Sequence, residues 1–146
     1  IGLYGVSLGG YVSSLVAGLE DGLACIVAGI PMDDFPLAAQ DNMPWIMRRY
    51  DDEFELDWRV IRAITHVVSP LALKPRIPLA GRFIYAGIAD RVVKPEHPRA
   101  LWRHWDQPEI HWFSGGHVLG AFHRSVLPFL ASSLRRAGMV APPPST

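Results

Sequence analysis

The segment Gly5-Val6-Ser7-Leu8-Gly9-Gly10 joins the apolar run Ile1 to Tyr4 directly to Val12, Leu15, Val16 and Leu19, which recur at helical spacing. A strand that becomes a helix within about two residues forces the residue at the turn into a strained backbone. Its neighbours at minus two and plus two must then lack side chains so that strand and helix can approach, a role expected of Gly5 and Gly9. In that arrangement Ser7 stands at the carboxyl edge of a sheet, near the positive end of the following helix. The Leu8 backbone amide is then placed to stabilise an oxyanion. A tight glycine turn with a helix-capping serine fits the same six residues. The choice depends on partners, because a serine hydroxyl is a poor nucleophile without a base, and the base needs a carboxylate to fix its tautomer.

The rest of the chain reads as alternating strands and helices. Leu23 to Ile30 is a continuous apolar run bounded by Gly22 and Pro31, as expected of a strand buried on both faces. Residues 33 to 55 show no clean period and predict an irregular excursion with a short helix. From Asp57, the positions Val60, Ile61, Ile64, Val67 and Val68 trace one face of a helix that Pro70 stops. Arg82 to Ala86 and Glu109 to Phe113 predict two more strands, with a short helix over Pro98 to Trp105 between them. A last helical stretch is expected to kink or restart at Pro128. Strands separated by helices of this length make a parallel α/β sheet.

Two candidate partners for Ser7 follow predicted strands. Gly87-Ile88-Ala89-Asp90 places a carboxylate on the loop after the third strand, at the same sheet edge as Ser7. Asp33 and Asp34 follow the second strand at that edge and compete with Asp90 for the role of acid. Ser114-Gly115-Gly116-His117 follows the fourth strand, and its glycines allow the imidazole to reach over the edge, making His117 the candidate base. His66, His97, His104, His111 and His123 lie in or near helices and strands and receive no catalytic role. No pair of them has metal-ligand spacing with matching Asp, Glu or Cys, so no metal is expected.

The order Ser7, Asp90, His117, each after its own strand, resembles the α/β-hydrolase superfamily of serine hydrolases, whose triad runs Ser, Asp or Glu, His along the chain. The resemblance spans Ile1 to about Gly138 and begins at the family's nucleophile elbow. It implies the C-terminal part of one α/β-hydrolase domain over residues 1–138, with the first strands of the sheet and the second oxyanion amide upstream. Residues 139–146 are expected to form a disordered tail. The excursion from Asp33 to Lys74 falls where the family often inserts a cap, and Phe35, Met43, Trp45, Met47 and Trp58 could line an apolar acyl pocket there. The implied chemistry is hydrolysis of an ester or related acyl bond on a small-molecule substrate, with no cofactor. A binding module that keeps the fold without catalysis is the alternative. Fourteen basic against fourteen acidic residues give no net field to attract nucleic acid or an anionic membrane, and no apolar run reaches the roughly 20 residues of a membrane span. The single cysteine, Cys25, sits in an apolar run and is expected to be a buried small hydrophobe.

Overall fold

A computed structural model describes residues 1–42, 57–120 and 123–141 of the chain. Its strands β1 (Gly2–Val6), β2 (Cys25–Gly29), β3 (Arg82–Gly87) and β4 (Glu109–Phe113) form one parallel sheet in the order β1-β2-β3-β4. Six α-helices accompany them among the described residues, α1 (Leu8–Leu19), α2 (Phe35–Asn42), α3 (Trp58–Thr65), α4 (Glu96–His104), α5 (His117–Gly120) and α6 (Val126–Arg136), with short 3₁₀ turns at His66–Val68, Pro70–Ala72 and Leu79–Gly81. The central strands show why their sequences are apolar throughout. Cys25 and Val27 of β2 join Phe83, Tyr85 and Phe129 in one buried cluster, while Ile26 and Ala28 join Ile84, Leu101 and Trp105 in another. Alternate residues of one strand thus feed two cores, one on each face of the sheet. Cys25 is fully buried, and that burial raises its thiol pKa. The chain therefore has a partial α/β fold with helices against a parallel sheet, as the alternation of elements predicts.

Two features depart from the sequence reading. The stripe Val12, Leu15, Val16 and Leu19 is not the buried face of α1: Gly10, Tyr11, Ser13, Ser14, Ala17 and Gly18 are, and Val12 and Leu19 are exposed. A helix that starts one residue after its strand must lie close to the sheet, and small side chains permit that approach. Ser13 and Ser14 tolerate burial because both hydroxyls donate to the Gly10 carbonyl. Helix α3 shows the second departure. Asp57 caps it by accepting from the Arg59 amide, yet α3 buries no residue and leaves Val60 and Ile64 exposed. The last helical stretch does restart near Pro128, as expected: α5 ends at Gly120 and α6 is a separate helix. Helix α6 begins at Val126, so the proline falls in the first turn, where its missing N–H is not needed. In the expected tail, the Met139 amide still donates to the Leu134 carbonyl, and residues 142–146 lie outside the described residues.

The amino end of β3 is held by a buried cation. Arg82 donates from Nε to the Ile77 carbonyl (2.7 Å) and from Nη1 to the Trp105 carbonyl (2.8 Å) and the Asp106 carboxylate (3.0 Å). Ile77 and Trp105 are fully buried, so Arg82→Met leaves two carbonyls without partners. The expected cost is about 3 kcal/mol, read by chemical denaturation. A loss below about 1 kcal/mol would mean that other donors replace the guanidinium.

Candidate active site

The turn between β1 and α1 has the geometry its glycines predict, with one change. Ser7 sits at φ 55, ψ −115, a strained conformation for a residue with a side chain. Its N–H donates to the Gly29 carbonyl at 2.9 Å and its carbonyl accepts from Tyr11, so both neighbouring elements hold it in place. A Cβ on Gly5 would lie 2.1 Å from the Gly9 carbonyl oxygen, an impossible contact with backbone. At Gly9, however, a Cβ would meet nothing within 4 Å. The second close approach belongs instead to Gly10, where it would lie 2.6 Å from the Gly29 carbonyl oxygen. Gly5→Ala should therefore destabilise the fold by about 3 kcal/mol or more. Gly9→Ala, inside a helix, should be neutral or stabilise by up to about 1 kcal/mol. Thermal melts of the two variants check this, and equal losses would contradict it.

The Ser7 side chain makes no cap bond to α1. Its Oγ lies 3.0 Å from His117 Nε2, and His117 Nδ1 lies 2.9 Å from Asp90 Oδ2. A carboxylate only accepts, so the ring proton belongs on Nδ1. Nε2 is then free to accept from the serine hydroxyl. Asp90 is 4% exposed, and its other oxygen accepts the amides of Val92 and Val93, each at 2.9 Å. Three hydrogen bonds thus hold a buried carboxylate in one orientation. The parallel register explains the convergence: Val6 pairs with Gly29, Gly29 with Tyr85, and Gly87 with Phe113, so β1, β3 and β4 end at one edge. The loop of Asp90 and the turn of His117 are also tied to each other. Ile88 and Ala89 donate to the carbonyls of Phe113 and Gly115, and a Cβ on Gly87 would strike the Gly115 carbonyl at 2.5 Å.

The rival carboxylates have other partners. Asp33 is bonded to His97 Nδ1, a pairing hidden in the sequence because the residues are 64 positions apart. Asp34 accepts from the Leu37 amide and from Arg62. Neither is bonded to His117. Among the remaining histidines, His104 contacts the Leu73 carbonyl, while His111 and His123 both contact the Ser125 hydroxyl at 2.8 Å. Burial chiefly, with His123 adding, lowers the His111 pKa against a raising contribution from Glu109. Under the site, the Tyr85 and Tyr4 hydroxyls bond at 2.8 Å, and burial followed by this bond pushes the Tyr85 phenol far above its usual range. Tyr11, one turn after Ser7, is raised by burial and then by the Asp34 charge, and its hydroxyl donates to the Val68 carbonyl. Phe35 packs beside Tyr11 with ring centroids 6.2 Å apart. Met43, Trp45 and Met47 lie outside the described residues. No group of three or more His, Cys, Asp or Glu that could hold a metal occurs among the described residues. Nor is any described helix long and apolar enough to cross a membrane.

Four parallel strands with flanking helices and a serine elbow at the sheet's carboxyl edge define a partial α/β-hydrolase fold. Solved structures agree over nearly the whole chain. The acylaminoacyl peptidase of Pyrococcus horikoshii superposes with a TM-score of 0.70 at 14% identity, covering 100% of this chain and 25% of that one. A puromycin-hydrolyzing peptidase of Mycobacterium tuberculosis gives 0.66 at 16% identity, covering 95% of this chain and 22% of that one. An esterase of Pyrococcus furiosus gives 0.66 at 17% identity, covering 93% and 53%. In sequence, the chain is similar to an uncharacterized protein of Mycobacterium tuberculosis, 43% identical over 144 residues. That match takes in 98% of this chain and 34% of the relative, so the chain spans about a third of the relative's length. No family model matches.

Proposed function

We propose that the chain carries the catalytic triad of a serine hydrolase that cleaves an ester or related acyl bond, with Ser7 as nucleophile, His117 as base and Asp90 as acid. The observation that carries this reading is the unbroken line from Ser7 Oγ through His117 to Asp90, at 3.0 Å and 2.9 Å. His117 Nε2 takes the hydroxyl proton as Ser7 Oγ attacks the substrate carbonyl. The Leu8 amide, first in α1 and so without an acceptor inside the helix, donates to the oxyanion that forms. His117 then protonates the leaving alcohol or amine, and an acyl-enzyme remains. Water attacks that ester, giving its proton to His117, and the acid departs as Ser7 Oγ recovers a proton. No cofactor enters. Asp90 holds the ring tautomer and stabilises the imidazolium without itself becoming protonated.

Both peptidases and an esterase share the fold, and the triad serves amide and ester cleavage alike, so the reading stops at acyl hydrolysis. In it, residues 1–138 form the C-terminal part of a single hydrolase domain with 33–74 as a small cap, of which residues 43–56 lie outside the described residues. The test is labelling of the full-length protein by a fluorophosphonate, alongside hydrolysis of p-nitrophenyl esters. Stoichiometric covalent labelling at Ser7 supports the reading. A folded protein that neither labels nor turns over would instead be a binding module built on a hydrolase fold.

A further inference from the structure

A second acid–imidazole pair lies in the same edge of the sheet, and the triad does not use it. His97 Nδ1 is hydrogen-bonded to Asp33 Oδ1, with His97 4% and Asp33 7% exposed. We propose that this pair is a positioning device for the triad, locking the loop that carries Asp90 to the support of the Ser7 elbow; the inference rests on the catalytic reading above. Its basis is the connectivity on either side of the bond. On the Asp33 side, Gly29 accepts the Ser7 amide at 2.9 Å and Ile30, at φ 46, donates to the Tyr85 carbonyl at 2.7 Å, leaving two residues before Asp33. The Asp33 carbonyl in turn accepts from the buried Ser69 hydroxyl at 2.8 Å.

On the His97 side, two hydrogen-bonded turns lead back to the acid. The His97 amide donates to the Lys94 carbonyl at 3.0 Å, and the amides of Val92 and Val93 donate to Asp90 Oδ1. Val93 is buried in the core, so the segment from Asp90 to His97 has little room to shift as long as its far end is fixed. The Asp33–His97 bond fixes that end. An outer ion pair between Lys94 and Asp41, at 2.7 Å, crosses the same gap, but its side chains are far more exposed and it contributes less. The result is a closed ring running from Ser7 through Gly29, Asp33, His97 and Asp90 to His117 and back to Ser7. Opening it at Asp33 or His97 frees Asp90 to drift from His117 Nδ1 while Ser7 and the substrate-facing groups stay in place.

The experiment uses the full-length protein and two readouts. Imidazole protons bonded to buried carboxylates resonate far downfield in proton NMR, so the wild type should show one from His117 and one from His97, assigned by their loss in His117→Ala and His97→Gln. Asp33→Asn and His97→Gln should broaden or shift the His117 proton. They should also lower kcat by about 10- to 100-fold with KM within about twofold. In an Asp90→Asn background, Asp33→Asn should add less than about a twofold further loss, because both act on one bond. An unchanged His117 proton in either folded variant, or losses that multiply with Asp90→Asn, would overturn the inference and leave the pair a structural tie only. If the wild type neither labels nor turns over, the catalytic reading fails by itself. The His117 proton then still shows whether the pair holds Asp90 in place.

Discussion

Ser7→Ala should abolish fluorophosphonate labelling and lower kcat on an ester substrate by about 10⁵- to 10⁶-fold, with the fold intact. The size follows from what is lost. Without Oγ there is no covalent route, and only binding and the remaining oxyanion donors are left to assist direct attack by water. The stability cost is small because the hydroxyl makes no cap bond and, among the described residues, hydrogen-bonds to His117 alone. About 1 kcal/mol is expected, from leaving His117 Nε2 without its partner. Ser7→Gly separates strain from chemistry. At φ 55 and ψ −115 a glycine loses nothing to Cβ crowding, so this variant should be as inactive as Ser7→Ala but more stable by about 1 kcal/mol. Labelling and thermal melts on the three proteins decide the matter. Undiminished labelling of Ser7→Ala would show that the probe reacts elsewhere and would remove Ser7 from the mechanism.

The strands were legible because each is a short apolar run with punctuation on both sides. Leu23 to Ile30 contains β2, and Glu109 to Phe113 is β4. Their parallel pairing followed from the helices between them. The elbow was legible for a stronger reason: only residues without side chains survive a turn that puts Gly5 against the Gly9 backbone. What the sequence hides is which face of each helix meets which neighbour. Periodicity marks the apolar stripe of α1, but close packing selects small residues: Gly10 and Ala17 face the sheet and Gly18 faces Leu73, while Val12 and Leu19 are exposed. In α3 the spacing marks one apolar face, and the fold leaves Val60 and Ile64 on that face exposed. Long-range polar pairs are hidden more completely. Asp33 and Asp90 are each an aspartate after a strand at one edge; the surrounding residues favour Asp90 as the acid, but only the third dimension gives Asp33 to His97 and Asp90 to His117.

Asp90→Asn should lower kcat by about 10⁴-fold near neutral pH while the protein remains folded. The asparagine is nearly isosteric. Its carbonyl oxygen can keep accepting the Val92 and Val93 amides, so the side chain has reason to stay where the carboxylate was. That orientation points the NH₂ group at His117 Nδ1. Two donors cannot face each other, so the ring gives up its Nδ1 proton and carries it on Nε2, toward Ser7 Oγ. Nε2 is then a donor and has no lone pair for the serine proton, and the base is lost though every heavy atom is in place. The imidazolium that must form along the reaction path also loses its counter-charge, which matters because the Asp90 side chain is wholly buried. Asp90→Ala should differ in kind. It strands the Val92 and Val93 amides as well, so it should lose about 2 kcal/mol or more of stability in addition to activity. A steady-state assay with a melt on each variant distinguishes the two. Asp90→Asn within tenfold of the wild-type kcat would show that His117 finds its tautomer without this carboxylate, and the acid would then have to be sought elsewhere.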